Sequence, residues 1–256
     1  MRSFQCGDPI NDLALSADGR YCVSADDDHR LRLWDIVNGK ECNPPAYLGD
    51  QVRSVVITPD AKIAVAGTAN GTLWVLDFGQ NKTILRKRGH DSWISKVALT
   101  PDGATIITGS GDGGICFWDM KTGSPRFEAT SHGASVRDLV LTRDGLNVIA
   151  AMSDGAIEVW DVDSGARRAR IEAREGSVNA LALAANDRML ISASDDGRLL
   201  IWDLDSSEGP KPRAEFRADN ALTCCAADCT GSIVVAGDAS GRVHILSLES
   251  EGRLNT

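Results

Sequence analysis

The stretch GHDSWISKVALTPDGATIITGSGDGGICFWD, residues 89–119, gathers an imidazole (His90) with several Ser and Thr hydroxyls, aspartate carboxylates and indoles. Hydroxyl, imidazole and carboxylate are the parts of a relay in which a histidine takes a proton from a nucleophile while the carboxylate orients the ring. Such a relay also needs an open pocket and donors aimed at an oxyanion, and nothing in the sequence signals either. The same groups serve as internal bracing: a buried indole N–H, hydroxyl and imidazole each require a partner, and a carboxylate fixes the imidazole.

Other candidates carry less. Cys224, Cys225 and Cys229 contain the ligand type of a zinc site, but adjacent residues on a strand point to opposite faces, so Cys224 and Cys225 do not grip one ion together. They are expected to pack as small apolar groups. Asp26-Asp27-Asp28 and Asp195-Asp196 are acidic turns without the regular oxygen spacing and bidentate carboxylate of a calcium loop, and are expected to be solvated. No glycine-rich loop links a strand to a helix, so phosphate-cradling nucleotide motifs are missing. The basic clusters Arg86-Lys87-Arg88 and Arg167-Arg168 fall where outer strands are expected, as solvated edge charge. The sequence therefore calls for no cofactor and no metal.

The elements that must position these residues repeat. LRLWDI (31–36), LWVLDF (73–78), ICFWDM (115–120), IEVWDV (157–162) and LLIWDL (199–204) each begin 42 residues after the one before, and VHILSL (243–248) begins 44 after the fifth. The two extra residues fit the looser stretch 206–213. Upstream of each lies an apolar run ending in a turn signal: INDLALSADG, VRSVVITPDA, ISKVALTPDG, VRDLVLTRDG, VNALALAAND and LTCCAADCTG. A third short run, such as TIITGS or MLISAS, lies between. The Asp-Gly, Asn-Gly and Ser-Gly steps suit tight hairpins. Four short strands per unit are expected, with no helical period. Each sheet is too small to bury both faces alone, so neighbours must pack on one another.

The unit resembles the WD40 repeat, on Gly89-His90, the TPDG turn, Ser110–Asp112 and Trp118-Asp119. The resemblance implies an all-β propeller over residues 1–256 as a single domain, with six four-stranded blades. It also implies a ring closed by an N-terminal strand, Arg2–Cys6, joining the last blade; a seventh blade supplied by a partner stays open. It further implies that His90, Thr108 or Ser110, Asp112 and Trp118 form a structural hydrogen-bonded chain rather than a catalytic group. The other units keep parts of this set: Cys6, Ser24, Asp28 and Trp34 in the first; little in the second, with Leu76 at the Trp position. The fourth has His132, Asp154 and Trp160, with Ala150 and Met152 for the hydroxyls. The fifth has Arg174, Ser192, Ser194, Asp196 and Trp202. Units that lost the chain are expected to be more weakly pinned.

The bulk composition bounds the function. The chain has 256 residues, 43% hydrophobic and 25% charged, as in ordinary globular proteins. A net charge of −9 disfavours nucleic-acid backbones and anionic membranes. The seven cysteines form no disulfide framework, no apolar run is long enough to span a bilayer, and no signal peptide is evident. A cytoplasmic protein without nucleic-acid or membrane partners is expected; the oligomeric state is left open.

By the resemblance, the loops entering the inner strands border a channel mouth that commonly docks partners. They bring Asp91 and Trp93, and just inside them stand Asn11, Arg53, Ser95, Arg137, Asn179 and Thr223. An aromatic beside arginines has the composition of an interface hot spot, which singles out Trp93, Arg53 and Arg137, with Asp91, Asn179 and Asn11 around them. A Trp at this position also serves packing in such repeats. The expected function is a non-catalytic scaffold or sensor module presenting its top face to partner proteins, as part of a larger assembly. The alternatives are a propeller hydrolase or lyase with a channel-mouth site, and a ubiquitin-ligase substrate adaptor. The second loses support because Val37, Lys121, Asp163 and Asp205 stand where such adaptors carry Arg. A methyl-lysine cage is disfavoured by only 5% aromatics.

Overall fold

A computed structural model describes residues 3, 6, 8–42, 44–130, 133–172, 176–205, 210–248 and 254–255. The chain divides into two compact units, Met1–Gly133 and Ala134–Thr256. Among the described residues every regular element is a strand.

In the first unit, β1 (Ile10–Leu15), β2 (Tyr21–Asp26) and β3 (Arg30–Asp35) form an antiparallel sheet whose far edge carries β4 (Lys40–Glu41) and β5 (Ala46–Tyr47), both paired with β3. The next sheet runs β6 (Val52–Ile57), β7 (Ile63–Thr68), β8 (Thr72–Asp77), β9 (Lys82–Arg88). The third runs β10 (Ile94–Leu99), β11 (Thr105–Ser110), β12 (Gly114–Asp119), β13 (Pro125–Thr130). The second unit repeats the plan: β14 (Val136–Leu141) to β17 (Arg167–Glu172) through β15 (Asn147–Met152) and β16 (Ala156–Asp161); β18 (Val178–Ala184), β19 (Met189–Ser194), β20 (Arg198–Asp203) and β21 (Lys211–Arg217); then β22 (Leu222–Ala227), β23 (Ile233–Asp238), β24 (Val243–Leu248) and β25 (Leu254–Asn255). Strand order follows chain order throughout, as short hairpin connections dictate.

The segment expected on the edge of the last sheet, Arg2–Cys6, lies outside the described residues apart from Ser3 and Cys6. On that edge Leu254 and Asn255 pair with Leu248 and Ser247.

Burial explains the apolar spacing. β2, β7, β11, β15 and β19 are buried along most of their length, because each lies mid-sheet with a neighbouring sheet against it. Facing side chains fuse into cores between consecutive sheets: Val65, Leu73, Val75 and Ile94 with Ile106 and Trp118 in the first unit, and Ile191, Leu199 and Ile201 with Leu222, Val234 and Leu246 in the second.

The turns after the inner strands are built by side chains. Thr100 Oγ1 donates to Asp102 Oδ1 at 2.6 Å, and that oxygen accepts the Ala104 N–H at 2.9 Å. Ser16–Asp18, Thr58–Asp60 and Thr142–Asp144 repeat the arrangement at 2.6–2.7 Å, which is the physical content of the Ser/Thr-x-Asp signature. The fifth repeat has Ala184 in place of the hydroxyl, and there Ala185, Asn186 and Asp187 take φ values of 52°, 56° and 66° in succession.

One feature recurs in all six sheets. The pairing of the inner strand slips by one residue near its start: between Ile10 and Asp12, Val52 and Ser54, Ile94 and Lys96, Val136 and Asp138, Val178 and Ala180, and Leu222 and Cys224. Asn11, Arg53, Ser95, Arg137, Asn179 and Thr223 are thus extra residues in β-bulges, a device that re-aims a side chain out of the ladder.

Candidate functional site

His90 joins β9 to β10, and Gly89 before it lets the chain cross the edge of Trp118: a Cβ at Gly89 would lie 2.4 Å from the indole Cη2. The His90 side chain is 2% exposed. Its Nε2 lies 2.7 Å from Thr108 Oγ1, its Nδ1 lies 3.2 Å from Asp112 Oδ2, and Trp118 Nε1 donates to Thr108 Oγ1 at 2.9 Å. Thr108 and Ser110 share a face of β11, so strand parity does not choose between them. The structure uses Thr108. Ser110 turns its hydroxyl to the Ser92 carbonyl at 3.4 Å and accepts the Asp112 N–H at 3.2 Å.

Burial pushes the His90 pKa below 6.5, against the opposing pull of Asp112, so the imidazole is neutral at pH 7. Burial alone would raise Asp112, but the Gly114 N–H, His90 and the Asp91 N–H together hold it below the usual carboxylate value. With a neutral ring the proton positions follow. Nδ1–H donates to Asp112, Nε2 accepts the Thr108 hydroxyl, and Thr108 Oγ1 accepts the indole N–H. That polarity is the one a nucleophile relay uses. Thr108, however, is fully buried, and the indole N–H already occupies its oxygen. The groups are satisfied internally, with Thr108 facing packed side chains.

Nothing among these residues signalled a pocket in the sequence, yet one exists. A cleft of about 520 Å3 is lined by Arg88, His90, Asp91, Asp112, Cys116 and Glu128. It reaches the carboxylate end of the chain; Thr108 is not among its walls. Burial, then Glu128 and Asp112, push the Cys116 thiol to about 12, so it stays protonated and poorly nucleophilic.

The remnant sets behave as their composition dictates. Trp34 Nε1 donates to Ser24 at 3.0 Å and Trp202 Nε1 to Ser192 at 2.9 Å. Cys6 Sγ sits 3.8 Å from Ser24 Oγ in the place of an imidazole. Trp160 faces Ala150, and among the described residues its buried indole N–H has no acceptor. His132 and Arg174 lie outside the described residues.

The residues expected at a docking surface divide by role. Trp93 and Arg53 come together: the guanidinium carbon stands 5.9 Å from the indole centroid. Trp93 also packs on Gly111, where a Cβ would lie 2.4 Å from the indole. Asp91 is exposed, and its backbone N–H donates to Asp112 at 2.9 Å. Asn11 and Asn179 are engaged internally. Asn11 Nδ2 donates to Asp27 Oδ1 (2.7 Å) and to the Val52 carbonyl of the next sheet (3.0 Å), and Asn179 Nδ2 matches it with Asp195 (2.6 Å) and Leu222 (2.8 Å). Arg137 is an exposed bulge residue of the second unit.

Two expectations about charge need correction. Asp26 is fully buried and Asp28 nearly so, both paired with Arg32, whose side chain is 10% exposed. The basic outer strands are not simply solvated: Lys87 lies over Trp118 at 5.4 Å, and Arg167 and Arg170 both bond the buried Glu158, at 2.7 and 2.8 Å. His244 Nε2 contacts Asp238 at 3.0 Å. Sequence reasoning missed this set, though a signal was available: Arg32, Trp74, Cys116, Glu158, Leu200 and His244 occupy one repeat position, where charge intrudes into an apolar strand. Of the cysteines, Cys224 and Cys229 are exposed, while Cys225 packs against the last core. Among the described residues no group of three or more His, Cys, Asp or Glu is arranged to hold a metal.

The U3-55K structure matches 98% of this chain and 81% of its own at a TM-score of 0.83 and 19% identity, a likeness of fold. Two ribosome biogenesis protein BOP1 homologs, from Drosophila grimshawi and Drosophila mojavensis, share 32% and 30% identity over 69 residues, 27% of this chain and only 9% of those proteins. The family model "WD domain, G-beta repeat" matches residues 1–35, 81–119, 123–161 and 166–203. With more than half of its residues matched, and with six antiparallel sheets each ordered along the chain, the protein belongs to the WD40-repeat family of β-propellers.

Proposed function

We propose that residues 1–256 act as one six-bladed WD40 module, a non-catalytic scaffold that holds protein partners within a larger assembly. The observation that carries this is the Arg53–Trp93 pair. A bulge pushes an arginine out of the ladder onto an aromatic that is itself wedged on a glycine, giving a rigid, amphipathic anchor of the kind that dominates interfaces. Short loops held by hydrogen bonds lose little entropy on docking. The internal satisfaction of His90, Thr108, Asp112 and Trp118 supports a bracing role over a catalytic one. The 69-residue likeness to the BOP1 homologs speaks for the repeat and leaves the assembly open.

The test is capture of native partners by the whole chain with Trp93→Ala and Arg53→Ala. Loss of the captured set, with each variant melting within about 2 °C of the parent, is the expected outcome. Unchanged capture would refute the assignment of this surface.

A further inference from the structure

Four of the six sheets close their third-strand charges internally. Arg32 meets Asp26 and Asp28; Arg170 meets Asp154 and Glu158 at 2.7 and 2.8 Å; Arg198 meets Asp196 and Glu215 at 3.6 and 3.4 Å; His244 meets Asp238 at 3.0 Å. The second sheet departs from this. The turn position held by Asp28, Asp112, Asp154 and Asp196 is there Asn70, and the position of Asp26 is Thr68. Opposite them on β9, Arg88 pairs in register with Thr72 and Arg86 with Trp74. Arg86 stacks on Trp74 at 4.9 Å. Among the described residues neither arginine has a carboxylate within 4.0 Å.

Arg86, Arg88, Thr72 and Asn70 line a cleft of about 480 Å3. Thr72 is 6% exposed, and its hydroxyl has no hydrogen-bond partner among the described residues. Asn70 Oδ1 is occupied by Thr68 Oγ1 at 2.8 Å and the Thr72 N–H at 3.2 Å, and its amide nitrogen has no hydrogen-bond partner among the described residues. Two guanidinium groups, an amide and a hydroxyl all offer donors, and no carboxylate lines this cleft. The Thr72 hydroxyl is a donor whose hydrogen bond an anion's oxygen can accept. Paired arginines with neighbouring neutral donors match an oxyanion that offers several oxygens at once.

We propose that this cleft binds a phosphate monoester carried on a phosphorylated side chain of a partner protein. The proposal rests on the reading of the chain as a protein-binding module. A nucleic-acid strand fits less well: the net charge is −9, and the cleft on the other side of Arg88 is lined by Asp91, Asp112 and Glu128, which repel a second phosphate next to the first.

The experiment is a titration of the whole chain with O-phosphoserine, followed by backbone and arginine side-chain NMR shifts. Serine and a mixed-sequence single-stranded oligoribonucleotide are run alongside. Saturable binding of roughly millimolar affinity is expected for an isolated phosphoamino acid, with no response to serine. R86Q, R88Q and T72V should each weaken it by about five- to tenfold, while K82Q on the same strand leaves it unchanged. A folded R86Q/R88Q double variant that binds as tightly as the parent, or no saturable shift in the parent, overturns the site. Tighter binding of the oligoribonucleotide through the same residues overturns the assignment to a protein-borne phosphate. Because the titration uses the isolated chain, its failure is separable from failure of partner capture at Trp93.

Discussion

The fourth sheet carries a defect that a single oxygen should repair. Trp34, Trp118 and Trp202 each donate the indole N–H to a hydroxyl ten residues earlier, at 2.9–3.0 Å. In the second and sixth repeats that hydroxyl position is Ala66 and Ala236, and the Trp has become Leu76 and Leu246, so that position carries no indole N–H to satisfy. The fourth repeat alone keeps the Trp and lacks the hydroxyl. Among the described residues Trp160 Nε1 is buried without an acceptor, and Ala150 is fully buried opposite it. The register matches that of the third sheet: Trp118 pairs with Ile106 and Thr108 follows two residues on, as Trp160 pairs with Val148 and Ala150 follows. Ala150→Ser should therefore place its oxygen where Thr108 has one. A net hydrogen bond contributes about 0.5–1.5 kcal/mol, and relief of a buried unsatisfied donor about 1–3; the strain of an added atom in a packed strand takes back about 1. A gain of about 1–2 kcal/mol is expected, raising the melting temperature by roughly 2–6 °C for a chain of this size. Urea unfolding of the parent, A150S and A150V, each with and without W160F, checks it. A150V adds bulk without an acceptor and should destabilise. In the W160F background the benefit of A150S should vanish, because the donor has gone. If A150S is no more stable than the parent, or if its benefit survives W160F, the bracing account of these polar groups is wrong.

Thr108→Val should cost about 2–4 kcal/mol, since it strands both the Trp118 N–H and the His90 Nε2 in the core, and chemical denaturation will measure it. The His90 pKa is lower in the folded chain than its unfolded value near 6.5, so the unfolded state binds more protons below that pH. Stability present above pH 6.5 should fall as the pH drops through 6.5 towards the folded value, and His90→Gln should flatten that part of a stability–pH profile. Brief iodoacetamide treatment of the native protein should alkylate the exposed Cys224 and Cys229 and spare Cys116, as peptide mass spectrometry would show; modification of Cys116 at a comparable rate would contradict its burial and raised pKa.

Repeat spacing carried most of the fold because each 42-residue unit holds its own turn chemistry. The Thr100–Asp102 pair and the capping of the Thr122 N–H by Asp119 Oδ1 at 2.7 Å are local, within three residues, and so are legible in a string of letters. The polar chain at His90 was legible in membership but not in connection, since Thr108 and Ser110 share a face and only the depth of the indole selects between them. The ion pairs were not legible for a different reason. Asp26 looks like part of a solvated acidic turn until Arg32 is seen beside it across a hairpin, and Glu158 meets Arg167 and Arg170 on another strand. The bulges also escaped: one slipped residue leaves no mark in composition, although the residues flagged just inside the loops turned out to be the six that slip.

Those slips separate two kinds of evolutionary constraint. A side chain in the ladder is tied to its cross-strand partner and its face, so changing it disturbs the packing of a neighbour. The extra residue of each bulge stands outside that ladder, so substitution is cheapest where its side chain projects and bonds no neighbouring strand. At equivalent positions the family plan holds an asparagine that stitches sheets together (Asn11, Asn179), a hydroxyl that bonds its own strand's neighbour (Ser95, Thr223) and an arginine that projects (Arg53, Arg137). Substitution at the two projecting arginines thus leaves the strand register beneath them fixed, whereas changing Asn11 or Asn179 also breaks a tie to the next sheet.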